Sequence, residues 1–162
     1  MSTSKIVGIM ALVAFVMGIV LVGDVMAGEK IKCRTVWYTT KWEQINVGDE
    51  KDHVVAVWEG KGIVSNMEGK TLMDGFLGYG SGIYDISPKT GAIGSGYNIF
   101  TDKDGDKVYN KWDQKGSSGG LTIYKGTGKF EGIQGKGTWS FVPSADPMQG
   151  YADWEGEVEL PR

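Results

Sequence analysis

Three carboxylates crowd one short segment, Asp102-Lys103-Asp104-Gly105-Asp106. Oxygen-rich turns of this kind suit a hard cation such as calcium. The spacing does not fit an EF-hand, which wants glycine at the sixth loop position and glutamate at the twelfth. Here Gly105 stands at the fourth and Asp113 at the twelfth, so a solvated hairpin turn is the better reading. His53 is the single histidine and follows Lys51 and Asp52. One histidine and one cysteine, Cys33, supply neither a zinc nor a haem centre, and no internal disulfide. General-base use of His53 would need a pocket and a carboxylate partner. Gly78-x-Gly-x-Gly82 lacks the following helix of a nucleotide site, and no serine-nucleophile motif or phosphate loop is present. No metal and no cofactor is expected.

The aromatic residues are the stronger signal. The chain holds six Trp and seven Tyr. Such rings fill a core, line a pocket, or do both. Tyr79, Tyr84, Tyr97, Tyr109, Trp112, Trp139 and Trp154 are candidates to surround a small apolar ligand. Asn110 shares a strand face with Trp112. Turned inward, it would be a buried polar group in want of a partner, which a ligand can provide. The expected pocket is therefore Tyr79, Tyr84, Tyr97, Asn110, Trp112, Trp139 and Trp154. The competing reading is that these rings only pack a small barrel.

These side chains have to be positioned by strands. Lys5 precedes an uncharged apolar run, Ile6 to Val22, and Val25 and Ala27 sit where a signal peptidase accepts small residues. Residues 1–27 are expected to be a cleaved signal peptide; an uncleaved anchor is the alternative, the run being at the short edge of a membrane span. The rest, 28–162, is the length of one domain. Losing Lys5 and Asp24 leaves the net charge at -3. The signs are mixed, which gives no support for nucleic-acid binding. A periplasmic or secreted location follows, with the membrane met only through the leader. Cys33 is then a lone thiol in an oxidising compartment, expected to be buried and inert, with an intermolecular bridge as the alternative.

After the leader the pattern is extended throughout. Strands are expected over 31–42, 53–65, 72–86, 92–101, 107–115, 121–124, 129–133, 135–141 and about 153–160, with turns at 46–52, 66–70, 87–91, 102–106, 116–120 and 143–150. The last is clearest: Trp154, Gly156, Val158 and Leu160 alternate with Asp153, Glu155, Glu157 and Glu159. About eight short strands with no convincing helix predict an all-β antiparallel barrel. A barrel of that size is either packed solid or holds one small ligand.

The stretch from Lys125 to Trp139 has glycine at 126, 128, 132, 135 and 137, around Phe130, Ile133 and Trp139. Glycines at that density exclude a helix, each costing about 0.8–1 kcal/mol against alanine. Gly126-Thr127-Gly128-Lys129-Phe130, followed by Gly132, Gly135 and Gly137, resembles the glycine motif of the allene oxide cyclase and dirigent-like barrels. The resemblance implies one eight-stranded, calycin-like antiparallel barrel with a cavity, often associating as a homo-oligomer. Three functions fit it. One is a barrel that binds a small hydrophobic or aromatic molecule. Another is a cyclase or isomerase using a carboxylate, Tyr or Arg in its cavity, with an inward charged group of shifted pKa, and the third is a structural or interaction protein with a solid core.

Overall fold

The computed structural model describes residues 28–146 and 148–160, so the expected signal segment lies outside the described residues. Eight strands follow in order: β1 Glu29–Asn46, β2 Val54–Asn66, β3 Leu77–Ser87, β4 Gly91–Thr101, β5 Lys107–Lys115, β6 Ser118–Gly126, β7 Gln134–Pro143 and β8 Gln149–Glu159. Each pairs antiparallel with the next, and β8 returns to β1, closing the barrel. The expected all-β antiparallel barrel is thus the observed fold. Closure leaves no open edge for another chain to pair with.

Three stretches differ from expectation. Residues 72–76 form turns that lead into β3 rather than its first residues, and Ser118 to Gly120 belong to β6 rather than to a loop. Residues 129–133 are not a strand. A 3-10 turn, Gly128–Phe130, replaces it. Gly128 has φ +55, and a Cβ there would lie 1.8 Å from Asp106 Oδ1. The backbone is too close to the neighbouring turn to run extended.

That neighbouring turn is the aspartate cluster. Asp102 Oδ1 accepts the backbone N–H of Asp104 and of Asp106, each at 2.9 Å. Lys129 Nζ pairs with the Asp102 carboxylate and lies 2.8 Å from Asp104 Oδ2. The Lys129 ammonium is the cation that these two carboxylates hold. It holds Asp102 below the usual carboxylate range, and Lys103 together with Lys129 brings Asp104 down to about 2. Thr127 adds a reciprocal pair with Lys107, donating its N–H to the carbonyl and accepting the Lys107 N–H on Oγ1, both at 2.9 Å. The sequence motif is thus a latch between the β4–β5 turn and the β6–β7 connection.

The latch plugs one end of the barrel. Phe130 and Ile133 turn inward, and Phe130 meets Phe76 at 5.5 Å between ring centroids. Met73 comes in from the β2–β3 connection, and Ile31, Cys33, Val64, Val108, Ile123 and Val158 complete the layer. Cys33 is fully buried there, and burial pushes its thiol up to about 12, which leaves it unreactive.

The outer face mixes charges with exposed apolar side chains such as Leu77, Ile83 and Tyr97. On the outer face, Arg34, Lys32 and Lys30 of β1 stand in register with Asp153, Glu155 and Glu157 of β8. Arg34 holds Asp153 with two bonds, of 2.6 and 2.7 Å.

At the other end, His53 ties the β1–β2 loop to β3. Its Nδ1 lies 2.6 Å from Asp49 Oδ1 and its Nε2 lies 3.1 Å from Asp85 Oδ1. The hydrogen bond with Asp49, helped by Asp85, raises the His53 pKa above 6.5.

Two predictions follow from these ends. Phe130→Ala should cost about 3–5 kcal/mol, as for a large buried ring, read as a lower denaturation midpoint in urea, while Lys103→Ala stays within about 0.5 kcal/mol. The His53 bridge is fully formed below the unfolded histidine pKa and is lost as pH rises through the higher folded value. The single histidine should therefore titrate above 6.5 by NMR, and Asp49→Asn should lower that midpoint. An unchanged midpoint in that variant would show that Asp49 does not hold the ring.

Candidate functional site

Above the plug the barrel is open, with a cavity of about 450 Å³. The strands set its depth by simple alternation. Along β5, Val108 lies in the sealed core, then Asn110, Trp112 and Gln114 climb the wall to the mouth. Along β4, Phe100 and Asn98 lie deep and Ala92 lies at the rim. Met148, Gln149, Phe141, Ile86 and Trp42 edge the opening.

All six tryptophans of the chain line this cavity: Trp37, Trp42, Trp58, Trp112, Trp139 and Trp154. Glycine makes the room for them. A Cβ on Gly82 would lie 2.3 Å from the Trp112 ring, and one on Gly96 would lie 2.6 Å from the same ring. A Cβ on Gly80 would lie 2.8 Å from the Trp58 ring. The inward face of β3 and β4 is thus left nearly bare, and indoles from β2 and β5 lie across it.

The rings meet edge to face, the arrangement that their quadrupoles favour. Trp37 meets Trp58 at 5.5 Å and 76°, Trp58 meets Trp112 at 6.1 Å and 79°, and Trp112 meets Trp139 at 6.1 Å and 87°. Tyr84 bridges Trp112 and Trp42, at 5.6 and 5.7 Å. Trp58 Nε1 donates to Thr39 Oγ1 at 3.1 Å, and Trp139 Nε1 donates to the carbonyls of Asp113 and Gly120 at 3.0 and 3.1 Å. These bonds fix the orientation of the two rings. Trp42 reaches the mouth because a bulge between Thr39 and Lys41 shifts the β1–β2 register by one, turning it inward opposite Trp58.

Of the residues expected to form a pocket, Tyr84, Asn110, Trp112, Trp139 and Trp154 line the cavity. Tyr79 and Tyr97 do not, and this corrects the expectation. Both lie on the outer face: the Tyr79 hydroxyl donates to Glu59 Oε2 at 3.0 Å, and Tyr97 meets Tyr124 edge to face at 6.2 Å. The reason is the alternation itself. Leu77, Tyr79, Ser81 and Ile83 share one face of β3, Gly78, Gly80, Gly82 and Tyr84 the other, and the glycine face is the one turned inward. Tyr109, weighed as a further candidate, is also absent from the cavity lining, with Lys125 Nζ 5.6 Å from its ring centroid. Trp37, Trp42, Trp58, Asn98 and Phe100 are lining residues that the sequence reading did not select. The signal for the tryptophans was their residue type, on strands facing glycine-rich neighbours.

Among the described residues that line the cavity, none is charged. Its polar groups are hydroxyls and amides: Thr35, Thr39, Tyr84, Asn98, Asn110, Gln114 and Gln149. Burial raises the Tyr84 hydroxyl to about 12, so it is a neutral donor across the physiological range. His53 and the Asp102 cluster are not lining residues. The groups described suit the holding of an uncharged molecule by stacking and hydrogen bonds; they do not form an acid–base pair. Nor do the described residues hold a cluster of His, Cys, Asp and Glu suited to a metal ion.

The barrel is similar to those of solved dirigent proteins. The pterocarpan synthase dirigent protein GePTS1 superimposes with a TM-score of 0.53 at 16% identity, over 88% of this chain and 95% of that one. The pterocarpan synthase dirigent protein PsPTS1 gives 0.53 at 14% identity, over 85% and 99%. Pyocyanin demethylase gives 0.48 at 14% identity, over 79% and 99%. No family model matches the chain, and no curated protein does. At these identities the likeness to the dirigent proteins is one of fold, and the chain is an eight-stranded, dirigent-like β-barrel.

Proposed function

We propose that this protein binds one small hydrophobic or aromatic molecule in the open half of the barrel, without catalysing its conversion. One observation carries the reading: six indoles and Tyr84 surround about 450 Å³ that they do not fill. That volume falls within the roughly 300–1,000 Å³ of small-molecule sites, which are mostly apolar with a few placed polar groups. A barrel whose rings serve only as core would close this space, because protein interiors pack to crystal-like density. The cyclase or isomerase alternative expects a carboxylate, Tyr or Arg in the cavity; of these the described lining residues include only Tyr84, whose hydroxyl burial keeps neutral. The allene oxide cyclase side of the resemblance rests on the 126–137 glycine motif alone and adds no residue to the site. A cleaved leader over residues 1–27 would carry the protein to the periplasm or outside a bacterial-type cell.

The test is a titration of the purified protein with uncharged two-ring aromatic molecules, followed by tryptophan fluorescence. Binding should quench or shift the emission at one equivalent. Trp112→Ala should weaken it about tenfold, the loss expected for one stacking ring worth about 1.4 kcal/mol. Tyr97→Ala, on the outer face, should leave it unchanged. Saturable binding that survives Trp112→Ala but is lost with Tyr97→Ala would move the site to the outside of the barrel.

A further inference from the structure

The cavity floor carries a pair of amides whose hydrogen bonds do not close. Asn98 Nδ2 donates to Asn110 Oδ1 at 3.1 Å. Asn98 Oδ1 is enclosed and unpartnered. Asn110 is 2% exposed and lines the open space, and among the described residues nothing accepts from its Nδ2. One bond cannot satisfy two amides: with Asn98 donating, the end left free on Asn110 is the donor Nδ2, whereas reversing both amides would leave an acceptor there. An unsatisfied buried amide is costly, so such groups normally have a partner.

Its position is also set by the backbone. The β5–β6 register shifts between Tyr109 and Asn110. The extra residue of that bulge is Tyr124 on β6, and Asn110 keeps its inward place by regular alternation with Val108 and Trp112 on β5. Phe100, Leu121, Trp37 and Trp154 lie around it at the floor. Asn110 is thus a free amide donor at the bottom of an aromatic well whose described lining is uncharged, beside Trp154, whose Nε1 is likewise enclosed without a partner.

We infer that this floor selects an uncharged planar aromatic molecule carrying a hydrogen-bond acceptor, such as a ring nitrogen or a carbonyl, which enters acceptor first and takes the Asn110 amide. The inference rests on the binding reading above and names the ligand class of the same site. An anion is excluded by the same features. Nothing in the lining offers it a counter-charge, and burying an unpaired carboxylate is far more costly than burying an amide.

Calorimetry with three probes of nearly one shape tests this: naphthalene, quinoline and 2-naphthoate. The comparison is between ratios, because naphthalene is intrinsically more hydrophobic. Asn110→Leu should weaken quinoline relative to naphthalene by about three- to tenfold, the contribution of one neutral hydrogen bond. An equal change for both probes would overturn the role of Asn110. In the unmodified protein, which needs no variant to fold, 2-naphthoate should bind at least about a hundredfold more weakly than quinoline. Comparable affinity for the anion would overturn the selection for neutral molecules while leaving the binding reading intact. If naphthalene and quinoline both fail to bind the unmodified protein, the binding reading fails with it.

Discussion

The space between glycine and indole is the constraint on which the rest depends. An eight-stranded barrel is narrow, and its interior has little room for large side chains from every strand at once. This chain makes room for the Trp37, Trp58 and Trp112 rings by placing glycines on the inward face of β3 and β4. Gly80, Gly82 and Gly96 lie under the Trp58 and Trp112 rings at distances that no Cβ tolerates. The bare strands need support, and they have it in unbroken pairing on both sides, from Val54↔Ile86 through Thr101↔Lys107. Glycine in a strand normally weakens it. Here closure of the barrel holds the strand and the indoles supply the apolar area that glycine lacks.

The two ends then divide the work. One is sealed by Phe76, Phe130, Ile133 and Met73, with Lys129 and the aspartates holding the plug from outside. The other stays open between Trp42, Ile86, Phe141 and Met148. Charge follows the same division. Ion pairs lie on the outer faces and at the turns, and the well has amides and hydroxyls only. The two halves share residues, since Trp37, Phe100, Leu121 and Trp154 belong both to the packed core and to the cavity lining.

Much of the fold was legible because strands and turns have local signals. Ser87-Pro88-Lys89-Thr90-Gly91 and Asp102 to Asp106 mark turns by residue type, and β8 shows its faces by charge. The faces of β3 and β4 were not legible. Local hydrophobicity puts Leu77, Tyr79 and Ile83 inside, yet they are outside because the volume facing Gly78, Gly80 and Gly82 is filled from other strands. That is a long-range fact with no trace in the strand itself. Tyr97 is misplaced for the same reason. The inward turn of Trp42 depends on a bulge that composition does not announce, and the turn at Gly128–Phe130 depends on the close approach of Asp106.

The most direct test of the central claim is a high-resolution crystal structure of the protein isolated from its own cells with whatever it carries. The account predicts planar density between Trp58, Trp112 and Trp139, with one polar atom within hydrogen-bond distance of Asn110. Indoles collapsed into a closed core, with no room between them, would contradict it.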